Sequence, residues 1–129
     1  LLGEGFIRLN SLRFEASSVL PDPQSYPLLD EIGRLLVKYP TLVIQIEGHT
    51  DDQGDPEVNY RLSRDRAKAV LEYLLKRFPD LRREQFRVIG FGSDKPLVPN
   101  TTPENRRENR RVDFVVINRN ELMRLNADK

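Results

Sequence analysis

Gly48-His49-Thr50-Asp51-Asp52-Gln53-Gly54, followed by Asn59-Tyr60-Arg61-Leu62-Ser63-Arg64-Asp65-Arg66-Ala67, is the stretch from which the fold can be read. Just upstream, Thr41 to Glu47 alternates, with Leu42, Ile44 and Ile46 on one side and Val43, Gln45 and Glu47 on the other. A period of two predicts a strand with one face in the core and one wetter face. Downstream, Ala67, Val70, Leu71, Leu74, Leu75 and Phe78 recur at helical spacing and stop at Pro79. That predicts an amphipathic helix. The loop between strand and helix is short, polar and acidic, and is bracketed by glycines. Ligand-binding residues concentrate on loops of this kind, held by a rigid scaffold.

Toward the N-terminus, Gly5 to Phe14 reads as extended chain, Ile7 and Leu9 alternating with Arg8, and Leu12 and Phe14 with Arg13. Asn10-Ser11 interrupts the period and predicts a bulge. Ser25 is the expected N-cap of a helix with Pro27 in its first turn. Leu28, Leu29, Ile32, Leu35, Leu36 and Tyr39 supply its apolar stripe, and Pro40 ends it. Toward the C-terminus, Phe86 to Phe91 is the third strand and Gly92 to Thr101 a loop. Thr102-Pro103-Glu104 is the cap and first turn of a short basic helix, and Arg111 to Asn118 is the last strand. Asn120 to Asn126 is expected to form a frayed terminal helix. The fold class is therefore α/β: a two-layer sandwich in which a small mixed four-stranded sheet, ordered β-α-β-α-β plus short helix and last strand, carries its helices on one face. One domain is expected over 1–129, with its core at about 12–118 and an extension at 119–129.

The bulk numbers narrow the function classes. The chain has 129 residues, 38% apolar and 32% charged, with a formal net charge of +1. So balanced a charge does not call for nucleic acid. There is no cysteine, which excludes disulfides and thiolate metal sites and suits a reducing compartment or a thiol-free periplasmic domain equally. No stretch reaches the roughly 18 to 20 apolar residues of a membrane span. Leu1 is not an initiator Met, so the chain is expected to be a piece of a longer or processed protein, anchored to a membrane, if at all, from upstream.

Arg66 falls at the edge of the second helix's apolar stripe, and Asn59 and Ser63 share its flank. An arginine at the border of a core needs an anionic partner, and Asp51 is the expected one. Two readings follow: a structural ion pair tying loop to helix, or a clamp in which carboxylate and guanidinium receive a ligand's ammonium and carboxylate. The guanidinium fork suits bidentate carboxylate binding, which lysine does not copy. His49, the sole histidine, together with Asp51 and Ser63 resembles a hydrolase set, but no nucleophile elbow or oxyanion glycine pattern accompanies it. Its expected role is to fix the loop by hydrogen bonds. Asp51, Asp52, Asp55 and Glu57 do not follow the alternating spacing of a calcium loop, and Pro56 interrupts them. Neither a metal nor a cofactor is expected. Asn105-Arg106-Arg107-Glu108-Asn109-Arg110-Arg111 is a basic run without interleaved aromatics, and one of its arginines is expected at the same end of the sheet as Asp51.

Gly48-His49-Thr50-Asp51, Gly54, Asn59, Leu62-Ser63, Arg66-Ala67 and Val70, then Gly90-Phe91-Gly92, Pro96 and Asn109-Arg110-Arg111-Val112, resemble the signature of the OmpA C-terminal-like domain. This family comprises the peptidoglycan-binding modules of outer-membrane protein A, the peptidoglycan-associated lipoprotein and the flagellar stator protein MotB. The likeness runs from about Phe14 to Ile117. It implies a non-catalytic periplasmic domain that binds the peptide stem of peptidoglycan through meso-diaminopimelate and anchors an envelope protein to the cell wall. It assigns Asp51 to the ligand ammonium, Arg66 to its carboxylate, Asn59 to the pocket lining and Arg110 to a second basic contact. Loop support falls to His49, Thr50, Asp52 and Gln53. The resemblance implies no membrane contact by the domain itself. The same fold serving as a protein–protein interaction module of the envelope is the alternative. The sequence departs from the family at Ser17, where an Asp or Asn is usual.

Overall fold

The computed structural model describes residues 7–118, with side chains from Ser11 onward. The expected helix over 120–126 lies outside the described residues. Four strands, β1 (Ile7–Arg13), β2 (Ile44–His49), β3 (Phe86–Gly90) and β4 (Arg111–Val116), form one sheet in the order β1-β4-β2-β3. β4 runs antiparallel to both β1 and β2, whereas β2 and β3 are parallel. The parallel pair needs a crossover, which α2 (Pro56–Arg77) provides. α1 (Tyr26–Lys38) links β1 to β2, and α3 (Pro103–Asn109) precedes β4.

Local signals explain most boundaries. Between Arg8 and Ser11 the register of β1 on β4 slips, at the predicted break. Asp55 caps α2, its carboxylate accepting from Glu57 N at 2.9 Å. Pro56, which disqualifies the acidic loop as a calcium site, is thus the first residue of a helix, where its missing N–H is harmless. Thr102 caps α3 through Asn105 N at 3.0 Å. Ser25 does precede α1 but makes no side-chain cap bond, because a 3₁₀ turn over Pro23–Ser25 already holds it in helical geometry. β2 starts at Ile44 rather than Thr41 and ends two residues later than the alternation indicates, so His49 belongs to the strand and not to the loop.

The core lies between the sheet and the two long helices. Leu12, Ile44, Ile46, Val112 and Phe114 meet Leu29, Ile32 and Leu36 of α1 and Ala67, Val70 and Leu74 of α2. Burying each such Leu or Ile contributes about 1.5–3 kcal/mol. One close approach sets how α2 lies on the sheet. A Cβ built on Gly48 would sit 1.8 Å from Ser63 O, and one on Gly90 2.6 Å from Ser63 Oγ. Only glycines let the helix backbone come this near β2 and β3. Ser63 Oγ fills the gap, donating to Tyr60 O and accepting from Gly92 N, both at 2.9 Å.

The opposite face is less wet than the alternation suggests. Glu47 and Asp113 are buried there, at 8% and 0% exposure. The reason is that the chain after β3 folds over this end of the sheet. Phe91 stacks on His49 with ring centroids 5.4 Å apart, Lys95 Nζ lies 4.3 Å from the Phe91 centroid, and Arg111 donates to Lys95 O at 3.1 Å.

Candidate functional site

A cavity of about 250 Å³ opens just beyond the C-terminal end of β2. Asp51, Asn59, Arg66 and Arg110, singled out in the sequence, all line it. They arrive by separate routes. Asp51 follows the strand. Asn59 and Arg66 lie one turn either side of Ser63, the residue that seats α2 on the sheet, and so face the same way. Arg110 is delivered by the end of α3 as the chain enters β4.

Asp51 and Arg66 do not pair as expected. Arg66 is fully buried, at 0% exposure, and gives its donors to three backbone carbonyls: Nε to Ser18 O at 2.8 Å, Nη1 to His49 O at 3.0 Å and Nη2 to Glu15 O at 3.0 Å. The guanidinium also lies 4.9 Å from the Phe14 ring centroid, a cation–π contact. Three of its five N–H groups are thereby used. Burial, and then repulsion from Arg110, pull its pKa from the ordinary arginine value down to about 10, against the attraction of Asp51 and Asp22. It remains a cation at neutral pH.

The carboxylate of Asp51 is claimed from two other sides. Oδ1 accepts from Gln53 N at 3.0 Å, and Oδ2 accepts from Arg110 Nη1 at 3.2 Å. Arg110 is itself anchored through Nε to Phe14 O at 2.9 Å. Asn59 holds the loop from the helix side, Nδ2 donating to Gln53 O at 3.0 Å. Thr50 supports it twice, donating its N–H to Gly92 O and its hydroxyl to Asp51 O. Asp52 is exposed and contributes only a surface bond to the Gln53 side chain.

His49 plays a different part from the one expected. Neither ring nitrogen makes a hydrogen bond. The imidazole is on the far face of the sheet from Ser63, with Nε2 3.7 Å from Glu47 and 3.6 Å from Asp113. These distances exceed an ordinary hydrogen bond, and both carboxylates favour the protonated imidazole. Burial is the largest influence on the imidazole and lowers its pKa. What His49 supplies to the site is its backbone carbonyl, held by Arg66. With Ser63 bonded to Tyr60 and Gly92 on the other side of the sheet, the residues of a hydrolase are not brought together. Glu47, His49 and Asp113 do bring one ligand atom each within 4.8 Å of one another, the arrangement of a cation site. Arg111 Nε already lies 3.1 Å from Asp113 Oδ2, and a guanidinium on the ligand oxygen opposes a metal there.

The basic run separates into four destinations. Arg110 joins Asp51 and Arg111 joins Asp113. Arg107 bridges Glu15 and Asp22, and Arg106 lines the cavity. Asn109, buried at 0% exposure, holds the preceding loop through Leu97 N, Val98 N and Val98 O. Sequence reasoning missed Arg106, Leu62 and Ala16 as lining residues. The signal for Arg106 was its place four residues before Arg110, on the same side of a helix. Ser17 lines the cavity too, with φ of 63°, in the left-handed region that Asn and Asp tolerate better than serine.

Comparison with known proteins agrees with this architecture. The profile of the OmpA family matches residues 13–110. The peptidoglycan-binding protein ArfA of Mycobacterium bovis is 37% identical over 94 residues, 73% of this chain but 28% of its own length. The chain therefore spans less than a third of that relative. The crystal structure of the peptidoglycan-associated lipoprotein from Burkholderia pseudomallei superposes with a TM-score of 0.76 at 30% identity, covering 81% of this chain and 87% of that one. The C-terminal domain of Helicobacter pylori MotB gives a TM-score of 0.78 at 25% identity, covering 92% and 93%.

Proposed function

Because the chain belongs to the OmpA family, we propose that it binds the peptide stem of peptidoglycan non-covalently and anchors an envelope protein to the cell wall from the periplasm. The domain is a binding and anchoring module, not an enzyme. The observation that carries the reading is the shared cavity of Asp51, Arg66 and Arg110.

The side-chain end of meso-diaminopimelate is an ammonium and a carboxylate on one carbon. Its ammonium would share Asp51 Oδ2 with Arg110 or displace Nη1 from it. Its carboxylate would take the freed Arg110 donor and the N–H groups that Arg66 does not give to carbonyls. The cavity suits a group of this size. At about 250 Å³ it is smaller than the roughly 300–1,000 Å³ sites that take whole drug-sized ligands, and it would admit a side-chain end but not a disaccharide. Among the described residues no helix is long and apolar enough to cross a membrane.

A calorimetric titration with a stem peptide containing meso-diaminopimelate, beside the same peptide with L-lysine, tests the reading. L-Lysine lacks the terminal carboxylate, so a charge-assisted bond is lost. We expect affinity to drop on the order of tenfold to a hundredfold. Equal affinity for the two peptides would move recognition to the shared part of the stem.

A further inference from the structure

The cavity holds more positive charge than a zwitterion needs. Arg66, Arg106 and Arg110 line it against the single carboxylate of Asp51, an excess of two positive charges. Both Asp51 oxygens already accept bonds, one of them from Arg110, and its one negative charge balances only one of the three cations. Arg107, the neighbouring arginine, is occupied by Glu15 and Asp22. Arg106 differs from its neighbours. It is half-buried, and among the described residues its side chain makes no hydrogen bond or ion pair. It also sits four residues before Arg110, a like-charge spacing that is unfavourable until an anion arrives.

A diaminopimelate side-chain end adds one positive and one negative charge and leaves the excess unchanged. We propose that the ligand is a stem peptide bearing a second free carboxylate close to the diaminopimelate zwitterion, and that Arg106 receives it. The assignment rests on the peptidoglycan reading above and narrows it to unamidated stems. The second carboxylate has two sources in the tripeptide L-Ala-γ-D-Glu-meso-diaminopimelate: the α-carboxylate of the D-glutamate, or the C-terminal carboxylate of the peptide. The guanidinium fork fits either one. A carboxamide presents an N–H₂ to the guanidinium where a carboxylate presents an acceptor, so amidation removes the recognised group with little change of shape.

The test titrates wild type and Arg106→Gln with this tripeptide and with two monoamides of it, one at each candidate carboxylate. The expected result has three parts. Arg106→Gln weakens the diacid about tenfold. One monoamide binds wild type about as weakly as the variant binds the diacid. The substitution then adds less than about twofold further loss toward that same monoamide. The monoamide that shows this identifies the source. Two results overturn the assignment while leaving the peptidoglycan reading intact: equal diacid binding by wild type and Arg106→Gln, or undiminished binding of both monoamides to wild type. Absence of binding by wild type to every peptide overturns both. Among the described residues the Arg106 side chain makes no hydrogen bond or ion pair that would be lost, so thermal melting of the variant close to that of wild type is the accompanying control.

Discussion

Asp51 and Arg66 line one cavity without forming an ion pair: Arg110 holds the carboxylate of Asp51, and three backbone carbonyls hold the guanidinium of Arg66. The two residues therefore differ in what they do for the fold. Arg66 is a crosslink between α2, the end of β2 and the segment after β1. Asp51 is a loop carboxylate whose partner is near the surface.

Replacing Arg66 by Ala should cost stability as well as binding. The His49 carbonyl, which is buried, and those of Glu15 and Ser18, which are partly so, lose their donor, each worth on the order of 1 kcal/mol, so a loss of about 3 kcal/mol is expected in urea denaturation. Asp51→Asn keeps the acceptor for Gln53 N but loses the bond to Arg110, so a smaller loss of about 1–2 kcal/mol is expected, together with loss of the charge that attracts an ammonium. Comparable denaturation midpoints for the two variants would contradict the crosslinking role.

Gly48 and Gly54 should respond differently to alanine. At Gly48 the new Cβ meets the Ser63 backbone at 1.8 Å, and helix and sheet must separate. A loss of about 3 kcal/mol, the upper end for overpacking, is expected. Gly54 has open space around it and only its φ of 88° to lose, about 1–2 kcal/mol. Thermal melting of the two variants gives the order directly.

Ser17 is held at φ of 63° without glycine's freedom. Ser17→Asn should raise stability by some tenths of a kcal/mol up to about 1 kcal/mol, since asparagine tolerates this conformation better. It also adds an amide to the cavity wall. A lower melting temperature for this variant would show that the serine is favoured there.

The pH dependence near neutrality should trace to His49. Burial lowers its pKa in the folded protein, so below about pH 6.5 the unfolded chain takes up a proton that the folded chain does not. Unfolded protein then binds more protons, and stability falls as pH falls through this window and is fully present above it. Glu47, Asp113, Arg111 and the Phe91 ring face the imidazole. His49→Phe retains a ring against Phe91 and removes the titration, so its stability should change less than wild type between pH 7 and 5 by chemical denaturation. The lowered carboxyl pKa values of Glu15 and Glu108, set by Arg107 and Arg13, act only at more acid pH.

What could be read from the chain alone was what depends on near neighbours. The alternation of Ile44 and Ile46, the helical stripe from Ala67 to Leu74, the break at Asn10-Ser11 and the Thr102 cap each use contacts within a few residues, and each stands in the structure. The shared flank of Asn59, Ser63 and Arg66 is likewise a consequence of helical period, which is why two cavity residues, Asn59 and Arg66, were legible by spacing, with Ser63 between them seating the helix on the sheet. Partner choice was not legible. A desolvated guanidinium takes whichever acceptors match its fork, and those of Arg66 come from residues 15, 18 and 49, brought beside α2 only when β1 and β2 join one sheet. Arg110 reached Asp51 by the same kind of long-range closure. The burial of Glu47 and His49 depended on the chain after β3 turning back over the sheet. Local period sets which way a side chain points; what it meets there is decided by segments that arrive from elsewhere in the chain.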